Sequence, residues 1–404
     1  MAGRNVPFFA AMSVDALGSG LFMPLSLLYF ARVPKIDLVT VGVLLSVAAA
    51  CTLPMPVLTG QLVDRFGART VVVAAHFVQA AAYLGYLAVT GPAMLLVAAV
   101  VASAGQRAFW SSVFTLLADL AEQRADRHAP ERWFALMGMF QTAGLGAGGL
   151  LSGLLLAVAT EQTFRLFVLV NAITFAVAGL LVLLLRVPRR PSTSVEAGGY
   201  RALLRDRPYL GLIATNTVFA LCSMFLGLAL PVYVVEGLAA PGWIVGPLLG
   251  GNTILLALGQ TVAVRVVRPL ARTRALVIAA GLWVVWATAS ALAVAVPLAV
   301  IVPYLVVCTL CFTVAEMIHA PVSASLASEA APVDLRGRYL AVFQYSFALA
   351  AVVAPGFFSI LFTVGRPLPW LALAVLALLG AAAVLLLERR LPSSAVRASV
   401  SPRE

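Results

Sequence analysis

The sequence predicts an all-α membrane protein: twelve transmembrane helices arranged as two pseudo-symmetric bundles of six. Three observations predict it. The 404-residue chain is 62% hydrophobic and only 11% charged, with a mean hydropathy of +1.02, whereas soluble domains carry about 25% charged residues. Its apolar residues gather into twelve stretches of spanning length, and a helix of roughly 20 residues crosses about 30 Å of hydrocarbon. The third is an internal repeat: Gly20 and Pro24 recur as Gly227 and Pro231, displaced by 207, while Arg132-Trp133 and Ala135 return as Arg338-Tyr339 and Ala341, displaced by 206. Two independent matches at nearly one offset, about half the chain, mark a six-plus-six duplication. An even number of spans per half inserts both halves the same way round, related by an axis along the membrane normal.

The first span, 6–31, holds Asp15 and the Gly20–Pro24 pair, and its apolar run outlasts the core of a signal peptide. The second, 38–60, follows a loop with the only lysine, Lys35. The third and fourth occupy 70–90 and 93–118, the fourth with Arg107 at its centre. The fifth, 134–159, carries Gly144, Gly146, Gly148, Gly149 and Gly153, small residues that suit close helix packing. The sixth, 164–186, leads into a stretch rich in Pro, Ser, Gly and Arg that reads as a surface linker. The second half repeats the pattern at 209–235, 242–264, 275–296, 298–327, 339–362 and 369–387. Boundaries therefore fall at 1–187 for the first bundle, 188–208 for the linker, 209–390 for the second bundle and 391–404 for a short tail. The four cysteines, Cys51, Cys222, Cys308 and Cys311, all lie in apolar runs and read as packing residues rather than a disulfide framework. Trp243 and Trp370 read as outer interfacial anchors.

Basic residues orient the chain. With a cytoplasmic N-terminus, 22 of the 27 Lys and Arg fall on the cytoplasmic side, four outside (Arg32, Lys35, Arg165, Arg366), and Arg107 within the bilayer. That asymmetry obeys the positive-inside rule and places both termini in the cytoplasm. The +11 charge thus reports topology and contact with anionic lipid heads. Spread over six loops and the tail, it excludes a nucleic-acid-binding face.

Asp15, Arg107 and Glu316 lie near the middle of spans 1, 4 and 10. A charge at bilayer depth costs at least about 2.5 kcal/mol and marks a function unless a partner neutralises it. At 1.5 Å per residue all three reach one level, roughly 13 Å in from the face with the termini. The repeat offset carries Arg107 to about position 314, beside Glu316. Arginine cannot discharge itself, so a carboxylate is needed as its partner, and Asp15, in the same half, is the better candidate; a static Asp15–Arg107 pair joining spans 1 and 4 is the plain structural alternative. Glu316 is then free to bind and release protons, with His319 one turn on to tune it. Glu-x-x-His is also half of a di-metal site, but no second copy exists and no metal is expected. The three histidines, His76, His128 and His319, sit in separate segments, and no nucleophile and base can be paired, so no enzyme is expected. A nucleotide-binding P-loop needs a lysine, and Lys35 is in a short outer loop. No cofactor is implied, and uphill work must draw on an ion gradient. Tyr29, Trp110, Gln141, Tyr233, Asn252, Tyr304 and Gln344 are candidate contacts for an amphipathic or cationic small molecule, and each reads equally as a packing residue.

Between spans 2 and 3 stands Gly60-Gln-Leu-Val-Asp64-Arg65-Phe-Gly67-Ala-Arg69. Gly60 permits close helix packing, Gly67 a tight turn, and Asp64 can satisfy N–H groups at a helix start. The stretch resembles the signature loop, motif A, of the major facilitator superfamily. The resemblance implies a cytoplasmic latch in which the acid docks against the start of span 11 and the basic residues pair with an acid at the end of span 4, here Asp119. It also implies a central cavity among spans 1, 4, 7 and 10, and a monomer. Leu17-Gly18 with Pro24-Leu25, the glycines of span 5, and Glu316-Met317 before Pro321 resemble the superfamily's twelve-helix drug/proton antiporter branch, although Leu145 stands where that branch has a proline. This implies multidrug efflux by proton antiport, energised by the proton gradient, and antibiotic resistance. An importing symporter or facilitator keeps the same fold, and a non-transporting receptor or scaffold is the reading from another class. Arg in place of Lys, with abundant Ala, Val and Gly, points to a GC-rich bacterial genome and hence to a bacterial cytoplasmic membrane.

Overall fold

The computed structural model describes residues 6–122, 129–156, 160–185, 203, 205–332 and 335–396. Most of the expected linker and the end of the expected tail, residues 188–202, 204 and 397–404, lie outside the described residues. Within them the chain is helical, with no strand. The elements are α1 (Val6–Phe22), α2 (Ser26–Arg32), α3 (Leu38–Cys51), α4 (Met55–Phe66), α5 (Ala68–Leu87), α6 (Pro92–Glu122), α7 (Ala129–Leu156) and α8 (Glu161–Leu183) in the first half. The second half has α9 (Arg207–Val232), α10 (Val245–Val267), α11 (Arg272–Leu292), α12 (Ile301–Ala330), α13 (Arg336–Phe343), α14 (Tyr345–Val364) and α15 (Leu368–Glu388), then the single turn α16 (Ser393–Val396). Among the described residues ten helical runs are long and apolar enough to cross a membrane, eleven with the bent pair α3–α4 counted as one. Helix α7 forms at the place of the fifth predicted span.

Local chemistry explains the ends. Asp37 caps α3 by accepting from Thr40 N at 3.1 Å, and Thr160 with Thr163 forms a reciprocal capping box on α8, each satisfying N–H groups that the first turn leaves open. Pro24 divides the first span, with one 3₁₀ turn over Met23–Leu25 between α1 and α2. Its repeat partner Pro231 lies inside α9, just before a π-helical turn over Tyr233–Gly237. A proline removes a helical hydrogen bond, and in both halves the ladder changes pitch there.

The second span is not the continuous helix that its apolar length predicts. It breaks at Thr52–Pro54, and its pieces bend by 46°. Pro54 and Pro56 have no N–H to give, and Leu53 N turns back to Ala50 O at 3.1 Å in a tighter turn.

The chain packs as two compact units: residues 1–194 with 227–253, and residues 195–226 with 254–404. Residues 227–253, which chain order assigns to the second bundle, pack within the first unit. Glycine makes this possible, since a Cβ on Gly153 of α7 would lie 1.9 Å from Gly246 N and 2.0 Å from its Cα. Side chains on the outer surfaces of the helices are aliphatic, Leu258, Val266, Val364 and Leu386 among the most exposed, as a surface solvated by lipid requires. Trp370 is buried rather than interfacial, edge-on to Phe225 and Trp286 with centroids 5.3 Å from each. The described cysteines are all free.

Candidate functional site

In the second unit, α12 places Glu316 and His319 one turn apart, and both line a cavity of about 240 Å³ with Ser323, Phe343, Gln344 and Phe347. The far wall is the eleventh span, with Gln344 at the junction of α13 and α14. Ser223 Oγ, on α9, donates to Glu316 Oε1 at 2.6 Å. The other carboxyl oxygen, Oε2, is buried without a hydrogen-bond partner. No cationic side chain pairs with Glu316 among the described residues.

His319 is fixed by a chain of bonds. Asn216 Nδ2 donates to Ser346 Oγ at 2.7 Å, which aims its Oδ1 at His319 Nε2, 3.1 Å away. That orientation makes Nε2 the donor and leaves Nδ1, buried and unpartnered, as a lone pair. The imidazole packs edge-on to Phe219 (5.6 Å) and against Trp283 (5.0 Å). A carboxyl and an imidazole three residues apart on one helix, each with one unsatisfied atom, can hold or pass a proton.

In the first unit, Asp15 and Arg107 do not form the expected pair. Arg107 Nε donates to Thr52 Oγ1 at 2.9 Å and its Nη2 to Ala49 O at 3.1 Å. The cation thus caps the carbonyl end of α3, where the proline break frees acceptors and the helix dipole favours positive charge. Asp15 is buried on α1 with 7% exposure, and among the described residues it has no hydrogen bond or ion pair.

The signature loop is a helix–turn–helix. Gly67 takes φ 84° and ψ 149° between α4 and α5, in the left-handed half of φ space that favours glycine. Gly60 is not at a close approach: a Cβ there would meet nothing within 4 Å. Asp64 is exposed on α4, and α5 begins without a side-chain cap. Arg65 lies over the neighbouring Phe66 ring at 5.2 Å. Arg69, expected to serve an acid on the fourth span, donates from Nε to Val182 O at 3.4 Å and from Nη2 to Leu183 O. Asp119 is partly buried near the end of α6.

Of the seven candidate substrate contacts, Gln344 alone lines the cavity. Tyr29 is buried and donates to Tyr86 O at 3.0 Å, and Tyr304 donates to Ala289 O at 2.7 Å; both are helix-to-helix ties. Tyr233 is fully buried, Trp110 is exposed, and Gln141 and Asn252 are intermediate. Sequence reasoning missed Ser223, Asn216 and Ser346, whose small polar side chains inside apolar runs were the available signal. It also missed the pair in which Arg32, from its Nε at 3.0 Å and from its Nη2, binds Glu236 Oε1.

Comparison with known proteins yields one family. The model described as Major Facilitator Superfamily matches residues 8–355. No curated protein matches the chain. Among solved structures it is similar to a point mutant of the nucleoside transporter NupG, at TM-score 0.81 and 12% identity over 95% of this chain and 100% of that one. A POT family transporter in complex with a thioalcohol-conjugated peptide gives TM-score 0.74 and 13% identity, covering 96% of both chains. A bacterial homolog of the human lysosomal transporter Spinster, inward-facing and unoccupied, gives 0.71 and 13% over 96% of this chain and 97% of that one. Identities this low carry the fold alone.

Proposed function

The chain belongs to the Major Facilitator Superfamily, and from that premise we propose that this membrane transporter exports small amphipathic organic compounds in exchange for protons, by alternating access, with Glu316 as the proton carrier. The observation that carries the reading is the carboxyl group of Glu316, half-buried at membrane depth, with Oε2 buried and unsatisfied and no cation beside it among the described residues. A bare carboxylate there is costly, so it is neutralised by a proton or by a group brought in with the substrate. Two ligands that neutralise one carboxyl exclude each other, which is the logic of exchange. Phe343 and Phe347 offer aromatic faces beside the Gln344 amide and the Ser323 hydroxyl, a lining suited to an amphipathic molecule. The resemblance of the first and tenth spans to drug/proton antiporters supports the direction.

The proton gradient is the only energy source the reading requires. Each proton moving inward gains about 2.3 kcal/mol per 100 mV. The working unit is a monomer in a bacterial cytoplasmic membrane with both termini inside, and self-protection against a toxic compound is its physiological role. A second reading, an importer of one metabolite, keeps the same fold, which structures named for nucleoside and peptide transport share.

Liposomes with an internal pH dye, a proton gradient and a panel of lipophilic cations and neutral antibiotics separate the two. Substrate-triggered proton flux is expected with wild type and not with Glu316→Gln, which keeps the Ser223 bond and binds substrate. Undiminished coupled transport by that variant would end the assignment of Glu316. Silence across the panel with folded protein would favour the importer.

A further inference from the structure

The repeat offset carries the signature loop of the first half onto the turn between α10 and α11, and the two loops differ in charge. Asp64 maps to Leu270 or Ala271, so the second loop has no acid among Arg265, Arg268, Arg272 and Arg274. The fold sets two more arginines beside them. Helix α11 packs along α15, and Thr273 Oγ1 donates to Glu388 Oε2 at 2.7 Å, which holds the start of α11 against the end of α15, where Arg389 and Arg390 follow. Arg272 serves the structure: its Nη1 donates to Ser394 O at 3.0 Å and to Ala395 O at 2.7 Å, fixing the turn α16 with Ala395 and Val396 buried. Arg265, Arg268, Arg274, Arg389 and Arg390 are exposed and make no hydrogen bond or ion pair among the described residues. The acids nearby are Glu388, which accepts from Thr273, and Glu329, exposed near the end of α12, the helix that packs against α16. The first-half loop is not equivalent, since Arg69 gives its donors to Val182 O and Leu183 O and Asp64 offsets Arg65.

These arginines stand where the aliphatic outer surface ends. On α10, Leu258 and Val262 are exposed, and Arg265 follows on the same helix face. On α15, Leu386 is exposed, with Arg389 and Arg390 three and four positions on. An acyl chain lying along either stripe brings its phosphate to the level of the guanidinium groups, and a guanidinium fork binds phosphate oxygens in pairs. We propose that the α10–α11 turn and the end of α15 form a binding site for the phosphate headgroup of an anionic glycerophospholipid. The proposal is more specific than the preference of basic loops for one face, because it assigns the headgroup to one corner of the second unit. A zwitterionic lipid offers the same phosphate but adds a cation, which the unpaired arginines repel. Each arginine beside an anionic headgroup strengthens binding about fivefold. The site is independent of the role of Glu316 and of the direction of transport.

Native mass spectrometry of the full chain, released from micelles that contain phosphatidylglycerol and phosphatidylcholine with identical acyl chains, tests this. Wild type is expected to retain phosphatidylglycerol in preference to phosphatidylcholine. The double variant Arg268→Gln/Arg389→Gln should weaken that retention by an order of magnitude or more, the product of two fivefold losses. Arg205→Gln/Arg207→Gln removes the same charge from exposed positions at the start of α9 and should retain the lipid as wild type does. Equal loss in the two double variants would overturn the proposal, because net charge and not a site would then hold the lipid. Displacement of the lipid by soluble glycerol phosphate would overturn it too, by making the site one for a free phosphate ester. Thermal unfolding supplies the second readout and checks folding. Both double variants should melt with wild type in phosphatidylcholine alone, and added phosphatidylglycerol should raise the midpoint of wild type and of Arg205→Gln/Arg207→Gln but not that of Arg268→Gln/Arg389→Gln. An equal rise in all three would count against the site.

Discussion

An arginine inside a bilayer must find acceptors, and Arg107 finds them where a helix runs out of donors. The turn at Thr52 leaves Ala49 O without its usual backbone N–H, and the guanidinium fork supplies one from the side. Hydrogen bonds to a charged group contribute about 1.5–3 kcal/mol, so Arg107→Met should lower the unfolding free energy in detergent by about 2 kcal/mol. Arg107→Lys, a cation without the fork, should lose less. Neither change should alter the number of protons moved per substrate in the surviving activity; a changed ratio in Arg107→Lys would return Arg107 to the coupling machinery. Glu316 and His319 were legible in sequence, because two ionisable residues in an apolar run stand out and i, i+3 spacing puts them on one face. Their partners were not. Ser223 lies 93 residues from Glu316, Asn216 lies 103 from His319, and Ser346 lies 130 from Asn216, and a lone Ser or Asn in a membrane helix gives no hint of which distant helix it will face.

At the scale of elements, the glycines of α7 separate into kinds that sequence cannot tell apart. Gly153 meets the backbone of Gly246, and Gly148 meets α1, where a Cβ would lie 2.2 Å from Leu17 O. Gly138 faces open space, with nothing within 4 Å of an added Cβ. Backbone cannot yield as a flexible side chain does, so Gly153→Ala should destabilise by about 1–3 kcal/mol, the usual range for overpacking. Gly138→Ala should be neutral or stabilising by up to about 1 kcal/mol, because alanine restricts the unfolded chain and favours helix. Thermal unfolding of the two variants in one detergent checks the contrast, and equal effects would mean that the close approach of α7 to α10 is not a fixed contact. The break in the second span is the opposite case. Its cause, Pro54 and Pro56, was in plain view, and the apolar run concealed it because hydropathy registers length and not hydrogen-bond continuity. The Pro24 and Pro231 positions, by contrast, were marked by the repeat and do mark the two changes of helix pitch.

For the whole molecule, the bent pair α3–α4 decides the count of crossings and therefore the face on which every later loop lies. If the pair crosses, Gly67 and its loop lie opposite Lys35 and on the same face as Arg268, which follows six further spans. If the pair turns back on itself, the loop lies with Lys35, and every subsequent assignment of side is inverted relative to it. Charge alone does not decide between them: leaving out Arg107, crossing puts 22 basic residues on one face and four on the other, and a re-entrant pair would put 23 and three, so either satisfies the positive-inside rule. Crossing is expected from the even number of spans per half that the repeat implies. Positions 35, 65 and 268 are exposed, and each can be read as a single cysteine in a background where the four native cysteines are replaced. A membrane-impermeant maleimide applied to intact cells should label Lys35→Cys and leave Arg65→Cys and Arg268→Cys unlabelled until the membrane is opened. Lys35→Cys and Arg65→Cys behaving alike would show a re-entrant pair, and labelling of Arg65→Cys and Arg268→Cys with Lys35→Cys protected would reverse the orientation that the basic loops imply. The result also constrains the proposed mechanism, because the carrier role proposed for Glu316 brings protons inward only if the face holding the basic loops is the one to which they are released.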